Sequence, residues 1–354
     1  MIPPVPVALL SIATAVPEHI LTQREAAAIA RRLFGRNAAW FDAIAPVFEN
    51  AGIAKRHIAR PPDWYEQAHG WGERNRVYLE VAEALYVEAA ESALDRAGIL
   101  ARDVDCLVTV STTGIATPSL EARAANRMGF RGDAERVPVF GLGCAGGVSG
   151  LALAAQLATI RAGRTILFVT VELCSISIRL DKPAKANIVA TALFGDGAAA
   201  CVLRSGANGI ATIGRGSQLL WPDTLGIMGW DVDDPGLGVI FDRSIPPFVE
   251  MHMGKAAARI AADSGMGMDE IHRFVCHPGG AKVIAALESS LRLAEGALDH
   301  ERAILRDYGN MSAPTALFVL DRVLAAGASG NCMLLALGPG FTATGVPILA
   351  GPGA

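Results

Sequence analysis

A shift of 166 residues lays the second half of this 354-residue chain on its first half without a gap. The stretch from Asp103 to Gly114, DVDCLVTVSTTG, falls on Asp269 to Gly280, DEIHRFVCHPGG. Thr165 to Val171, TILFVTV, falls on Asn331 to Leu337, NCMLLAL. Identities are few, but apolar runs and glycine turns keep register, as a duplicated supersecondary unit would. Each unit reads as strands alternating with helices. The repeat therefore predicts an α/β fold of two lobes of one topology, roughly 1–205 and 206–354, with parallel strands and buried helices. In such a pseudo-symmetric pair, corresponding strand ends and helix starts face each other near the middle. The same shift carries Cys144 onto Asn310, so these two residues are predicted to meet. His277, at the end of a strand Arg273–Cys276, points there too, as ligands gather at the carboxyl ends of strands.

The elements of the first half follow in order. Val5 to Ile12 reads as a strand with an exit turn at Thr14–Pro17, and Gln23–Phe34 as a helix. An irregular stretch to residue 70 carries a compact positive cluster at Lys55, Arg56 and Arg60. From Arg76 to Gly98, Glu80, Glu83, Glu88, Glu91 and Asp95 alternate with apolar residues at helical spacing, which predicts an amphipathic surface helix. Strand Cys106–Ser111, helix Leu120–Met128, a buried strand end at Val137–Phe140 and strand Thr165–Val171 complete the set.

Between the last two strands lies GLGCAGGVSG, Gly141 to Gly150, followed by Leu151–Ile160, apolar nearly all round and stopped by Gly163. A thiol on a glycine turn at a helix start meets unpaired N–H groups and the positive end of the helix dipole, which favour thiolate. Glycines 141, 143, 146 and 147 leave room for a substrate. Taken alone, an ordinary buried cysteine fits the same turn. Likewise a histidine satisfied at a strand end fits His277, and a helix N-cap fits Asn310. Their joint placement by the repeat favours chemistry. An imidazole can take the thiol proton, and an amide can donate to a developing oxyanion, so nucleophilic acyl transfer is the expected reaction. Cys-His-Asn also serves papain-like hydrolysis, so the triad alone leaves the reaction open.

Bulk properties narrow the setting. The chain is 51% hydrophobic and 19% charged, with a net charge of −4 and no basic run, so nucleic acid is not an expected partner. The N-terminal residues lack the positive region of a secretory signal. The longest apolar stretch, 151–170, is broken by Arg161 and Arg164, so membrane insertion is not expected. Six cysteines stand apart without a CxxC pair, which fits reduced thiols in the cytoplasm better than a disulfide framework or a metal site.

Cys144 in GLGCAGG, His277 in HPGG, Asn310 in YGNMSA and the late GPGFT at Gly338–Thr342 resemble the type III polyketide synthases, the chalcone-synthase-like members of the thiolase superfamily. The resemblance covers essentially the whole chain and includes ALFGDGAAA at 192–200. It implies a thiolase-like αβαβα fold and a homodimer. It also implies decarboxylative Claisen condensation of malonyl-CoA onto an acyl-CoA starter held on Cys144, with no carrier protein and no further cofactor. His277 and Asn310 would stabilise the enolate, and Phe194 and Phe241 match the family's gatekeeper aromatics. Glu172, Cys174, Ser177, Thr112, Thr113, Thr117, Ser312 and Gly338 fall on positions that shape the cavity, and Lys55, Arg56 and Arg60 on positions that contact CoA phosphates.

Some positions depart from the plant enzymes. Those have methionine at 117, used across the dimer interface, and threonines at 174 and 177. The run ELCSISI followed by KANIVATALFGDGAAACVL is similar to bacterial alkylresorcinol and alkylpyrone synthases, which implies a fatty acyl starter. A short-starter synthase making a pyrone or phloroglucinol is the alternative. A ketoacyl synthase of the initiating type usually carries HQAN and GNTSA instead, and would need a basic docking patch. An acyl-CoA-binding protein on the same fold would need no activated thiol.

Overall fold

The structure, a computed structural model, describes residues 6–35, 38–179 and 184–351. Val5 and residues 180–183, within the segment 172–203, lie outside these. One ten-stranded sheet runs through both halves. Its order is Arg273–Cys276, Gly330–Gly338, Thr342–Ala350, Ala211–Ile213, Val7–Ala15, Asp196–Ser205, Thr165–Leu173, Cys106–Val110 and Glu135–Val139, with Ser217–Leu220 pairing to Thr342–Ala350. The halves meet where Val7–Leu9 pairs with Ala211–Ile213.

The repeat has a physical counterpart. Cys106–Val110 pairs in parallel with Thr165–Leu173 as Arg273–Cys276 does with Gly330–Gly338. The helices Gly146–Ala158 and Ala313–Ala325 correspond in the same way. They pack against each other in the middle of a shared core that includes Leu151, Ala154, Leu317 and Leu320. Outside one half lies the helix Trp71–Ala97, and outside the other lie Ile245–Asp263 and Ala281–Ser290. The two halves of the sheet form the two β layers, with helices outside each and between them, the expected αβαβα arrangement.

Several expectations change. The sheet is mixed rather than parallel: Asp196–Ser205 runs antiparallel to both neighbours, and Thr342–Ala350 to Gly330–Gly338. The first strand continues through Thr14 and Ala15, the expected exit turn. The long helix starts at Trp71, not Arg76. It is amphipathic as expected, with Glu80, Glu88, Glu91 and Asp95 exposed and its small Ala82, Ala89, Ala90 and Ala93 letting the other face lie close to the sheet. Glu135–Val139 is an exposed edge strand rather than the end of a buried one, and Phe140 beyond it is 60% exposed.

The glycines after Cys144 serve packing first. A Cβ on Gly147 would lie 2.2 Å from the Ala313 carbonyl oxygen, and one on Gly146 2.6 Å from Val110. Their absence of side chain brings the two central helices together rather than admitting a substrate.

Candidate active site

Cys144 sits in a single 3₁₀ turn, Gly143–Ala145, that runs straight into the helix Gly146–Ala158. Gly143 has φ +47°, and a Cβ there would strike Pro339 at 2.8 Å. Gly338 packs against this turn: a Cβ on it would lie 2.6 Å from that of Ala145. The turn is further held by Thr112, whose hydroxyl accepts from the Gly143 N–H at 3.3 Å.

The residues matched by the repeat do come together. Asn310 follows Gly309, at φ +71°, and stands two residues before Ser312, a non-glycine residue at φ +59°. Such a backbone at serine costs about 1–3 kcal/mol and is held only where surrounding structure imposes it. The Asn310 carbonyl Oδ1 accepts from the Ser312 N–H at 2.8 Å, which leaves its Nδ2 as the outward donor. Nδ2 donates to the Gly279 carbonyl at 3.2 Å, two residues past His277. The side chains of Ser312 and Asn310 lie beside the Cys144 thiol and favour its ionised form. Asn310 thus touches both the thiol and the loop that carries His277.

His277 ends its strand with its N–H on the Leu335 carbonyl at 2.8 Å. Neither ring nitrogen has a partner among the described residues, although the ring is buried. Just before it, the buried Glu301 carboxylate accepts from the Cys276 N–H at 2.8 Å. Burial pushes the Cys144 thiol up to about 11, against the pull of Ser312 and Asn310, and pushes the His277 imidazole down to about 4. The low thiol pKa expected from the helix start is therefore absent when each group is taken alone. Desolvation outweighs the helix end, and both groups rest neutral.

Glu172 is fully buried. Its Oε2 accepts from the Thr112 N–H at 2.9 Å and the Thr113 hydroxyl at 2.8 Å. Burial still pushes it up to about 7, and its Oε1 has no partner. Cys174 is buried, and desolvation raises its thiol well above the ordinary range. The Ser177 hydroxyl donates to the Cys174 carbonyl at 2.6 Å, closing a local turn. Thr117 is exposed and outside the Cys144 site of its own chain.

Phe194 is buried and bridged to Asn310: Asn310 N–H donates to the Leu193 carbonyl, and Gly195 N–H to the Asn310 carbonyl. The ring that meets it edge-on, with centroids 6.4 Å apart, is Trp230, which sequence reasoning missed. Trp230 and the half-buried Phe241 share one face of the hairpin Met228–Asp233/Gly236–Phe241, because Met228 pairs with Phe241 and Trp230 with Val239. Strand alternation on either side of the turn Asp233–Gly236 was the available signal.

The basic cluster divides. Lys55 is exposed. Arg60 is half-buried and forks onto Glu80, with Nη1 at 3.1 Å from Oε1. Arg56 is 1% exposed and points inward, which rules out the expected phosphate contact. Among the described residues no group of three or more His, Cys, Asp or Glu side chains could hold a metal, and no helix is long and apolar enough to cross a membrane.

A cysteine at a helix start between two duplicated α/β halves, with an amide from the second half beside its thiol, fits a condensing acyltransferase of the thiolase type. The chain matches the N-terminal domain of chalcone and stilbene synthases over residues 5–207 and their C-terminal domain over 212–350. It belongs to that family, the type III polyketide synthases. It is 40% identical to the 1,3,6,8-tetrahydroxynaphthalene synthase of Streptomyces peucetius subsp. caesius, over 94% of this chain and 90% of the relative. It is 28% identical to the 3,5-dihydroxyphenylacetyl-CoA synthase of Streptomyces toyocaensis, over 84% and 80%. The crystal structure of the 1,3,6,8-tetrahydroxynaphthalene synthase of Streptomyces coelicolor superposes with a TM-score of 0.91 at 28% identity, covering 97% of this chain and 99% of the other.

Proposed function

We propose that this enzyme extends a short acyl starter with malonyl-CoA on Cys144 and releases a polyhydroxylated cyclic product. The fixed Asn310 amide carries the reading. With its Oδ1 held by the Ser312 N–H, Asn310 offers its Nδ2 N–H groups beside the thiol, which suits an oxygen that gains negative charge. Cys144 passes its proton to His277, and the thiolate displaces CoA from the starter thioester. Ionising both groups in one transfer sets opposite charges side by side and offsets the burial each would meet alone. Malonyl-CoA then loses carbon dioxide, and the bonding pair enters an enolate whose oxygen takes hydrogen bonds from Asn310 and His277. The enolate carbon attacks the acyl carbonyl and expels the Cys144 thiolate, ready for reloading.

The aromatic face of Phe194, Trp230 and Phe241 supports a short starter, as do relatives named for polyhydroxylated aromatic products. The resemblance of 172–203 and the small side chains Cys174 and Ser177 favour the second reading, a fatty acyl starter giving an alkylpyrone or alkylresorcinol. Lys55 is the remaining candidate for a CoA phosphate, and the cycle needs no cofactor beyond the CoA thioesters. A homodimer in the cytoplasm is part of the reading. The open edge strand Glu135–Val139, with exposed Phe140 and Ile115 around an apolar cavity of about 380 Å³ and Thr117 beside it, suits a second copy. The test is mass spectrometry of products from malonyl-CoA mixed with acetyl-, benzoyl- and graded fatty acyl-CoA starters. Short-starter or malonyl-only products should dominate; preferential use of long acyl chains would replace this reading with the fatty acyl one.

A further inference from the structure

We propose that Arg56 is a positioning residue for decarboxylation: it holds the end of the helix Lys185–Leu193 and, through the Phe194–Asn310 bridge, fixes the Asn310 amide where the enolate oxygen forms. This rests on the assignment of Asn310 to enolate stabilisation. Arg56 lies on the short strand Lys55–Ile58, opposite Leu21, and is buried. Its Nη1 donates to the Thr191 carbonyl at 2.5 Å, in the last turn of that helix. Its side-chain stem packs behind the bridge. A Cβ on Gly195 would lie 3.2 Å from that of Arg56, and one on Gly309 3.5 Å. Gly195 follows Phe194 and Gly309 precedes Asn310, so the stem of Arg56 touches both strands of the bridge. The neighbouring His57 stacks on Tyr308 with ring centroids 5.9 Å apart, and the Ala54 N–H donates to the Arg306 carbonyl at 2.7 Å. The whole strand is thus fastened to the segment that leads into Asn310.

The energetics argue against a merely structural strut. Among the described residues the guanidinium Nε and Nη2 have no partner, and no carboxylate neutralises the charge. Burying a cation and two unpaired donors costs stability. A leucine or methionine would fill the same space without that cost. The single bond to Thr191, placed behind the bridge, is what the charged side chain adds.

The experiment compares Arg56→Met, Arg56→Lys and Asn310→Ala with wild type in three measurements. These are acylation of Cys144 by intact mass, carbon dioxide release from malonyl-CoA, and Tm. Arg56→Met should acylate at the wild-type rate, keep or raise Tm, and release carbon dioxide about tenfold to 10²-fold more slowly, the scale of a small misplacement. Arg56→Lys, which keeps one donor near Thr191, should recover part of that loss. Equal loss of both half-reactions with a lowered Tm overturns the proposal, as does unchanged release by a folded Arg56→Met. If Asn310→Ala itself releases carbon dioxide normally, the Asn310 assignment fails and takes this proposal with it, whatever Arg56→Met does.

Discussion

The backbones of Phe194 and Asn310 are tied as a parallel bridge by two hydrogen bonds, 2.8 Å from the Asn310 N–H to the Leu193 carbonyl and 3.0 Å from the Gly195 N–H to the Asn310 carbonyl. Phe194 comes from the first half of the chain and Asn310 from the second. The aromatic wall and the amide donor therefore move as one body. Asn310→Ala should lower carbon dioxide release from malonyl-CoA by about 10²–10³ while Cys144 still accepts the starter. Equal loss in both half-reactions would instead mark Asn310 as a fold-maintaining residue.

The proton on Cys144 gives a second expectation. Burial, only partly offset by Ser312 and Asn310, leaves the thiol near 11, and burial holds the imidazole near 4, so ionisation near neutral pH needs both groups. His277→Ala should move the pH of half-maximal alkylation by iodoacetamide upward, and wild type should react faster at every pH below ~8.5, where an ordinary thiol ionises. Overlaid pH profiles for the two proteins would remove His277 from the proton transfer.

Starter size is read at Trp230. Trp230→Ala removes the ring that meets Phe194 edge-on and opens apolar space beside the gatekeeper. In competition between acyl-CoA starters, each added methylene that enters the new space should improve selection about fourfold, from ~0.8 kcal/mol per buried methylene, until the space is full. Acylation of Cys144 by acetyl-CoA should change little. A variant with wild-type chain-length preference would show that the hairpin does not face the acyl chain.

Close packing gives a stability expectation. A methyl on Gly147 would meet the Ala313 carbonyl oxygen at 2.2 Å, and backbone atoms of two central helices cannot step aside locally. Gly147→Ala should cost about 1–3 kcal/mol in urea unfolding. A smaller effect would mean that the helices slide freely.

Much of this was legible because the repeat constrains pairs of positions. It brought Asn310 to the Cys144 turn, since apolar strands and glycine turns survive divergence in register. Arg56 was not legible, because a basic residue beside Lys55 and His57 reads as surface charge until Leu21, Thr191 and Gly309 are seen around it. The packing role of Gly338 was hidden in the same way: its missing side chain makes room for Ala145. Trp230 escaped because its contact to Phe194 depends on a hairpin register set by non-local packing. The thiol pKa was inverted because helix ends are visible in sequence and desolvation is not.

Glu301 provides the final expectation, a pH-dependent stability. Its carboxyl is pushed up from 4.5 to about 7, mainly by burial, although the Cys276 N–H donates to it. Between those values the folded protein holds a proton that the unfolded chain has released. The neutral acid's contribution is therefore full below about 4.5 and is lost as pH rises through about 7. Above that, the folded state must carry the buried charge. The shift corresponds to about 3 kcal/mol as an upper bound. Glu301→Gln keeps a carbonyl oxygen for the Cys276 N–H and never ionises. Its Tm should match wild type near pH 4.5 and exceed it increasingly up to about pH 8, with no further gain beyond. A Tm difference that stays constant across that range would show that Glu301 does not titrate on folding.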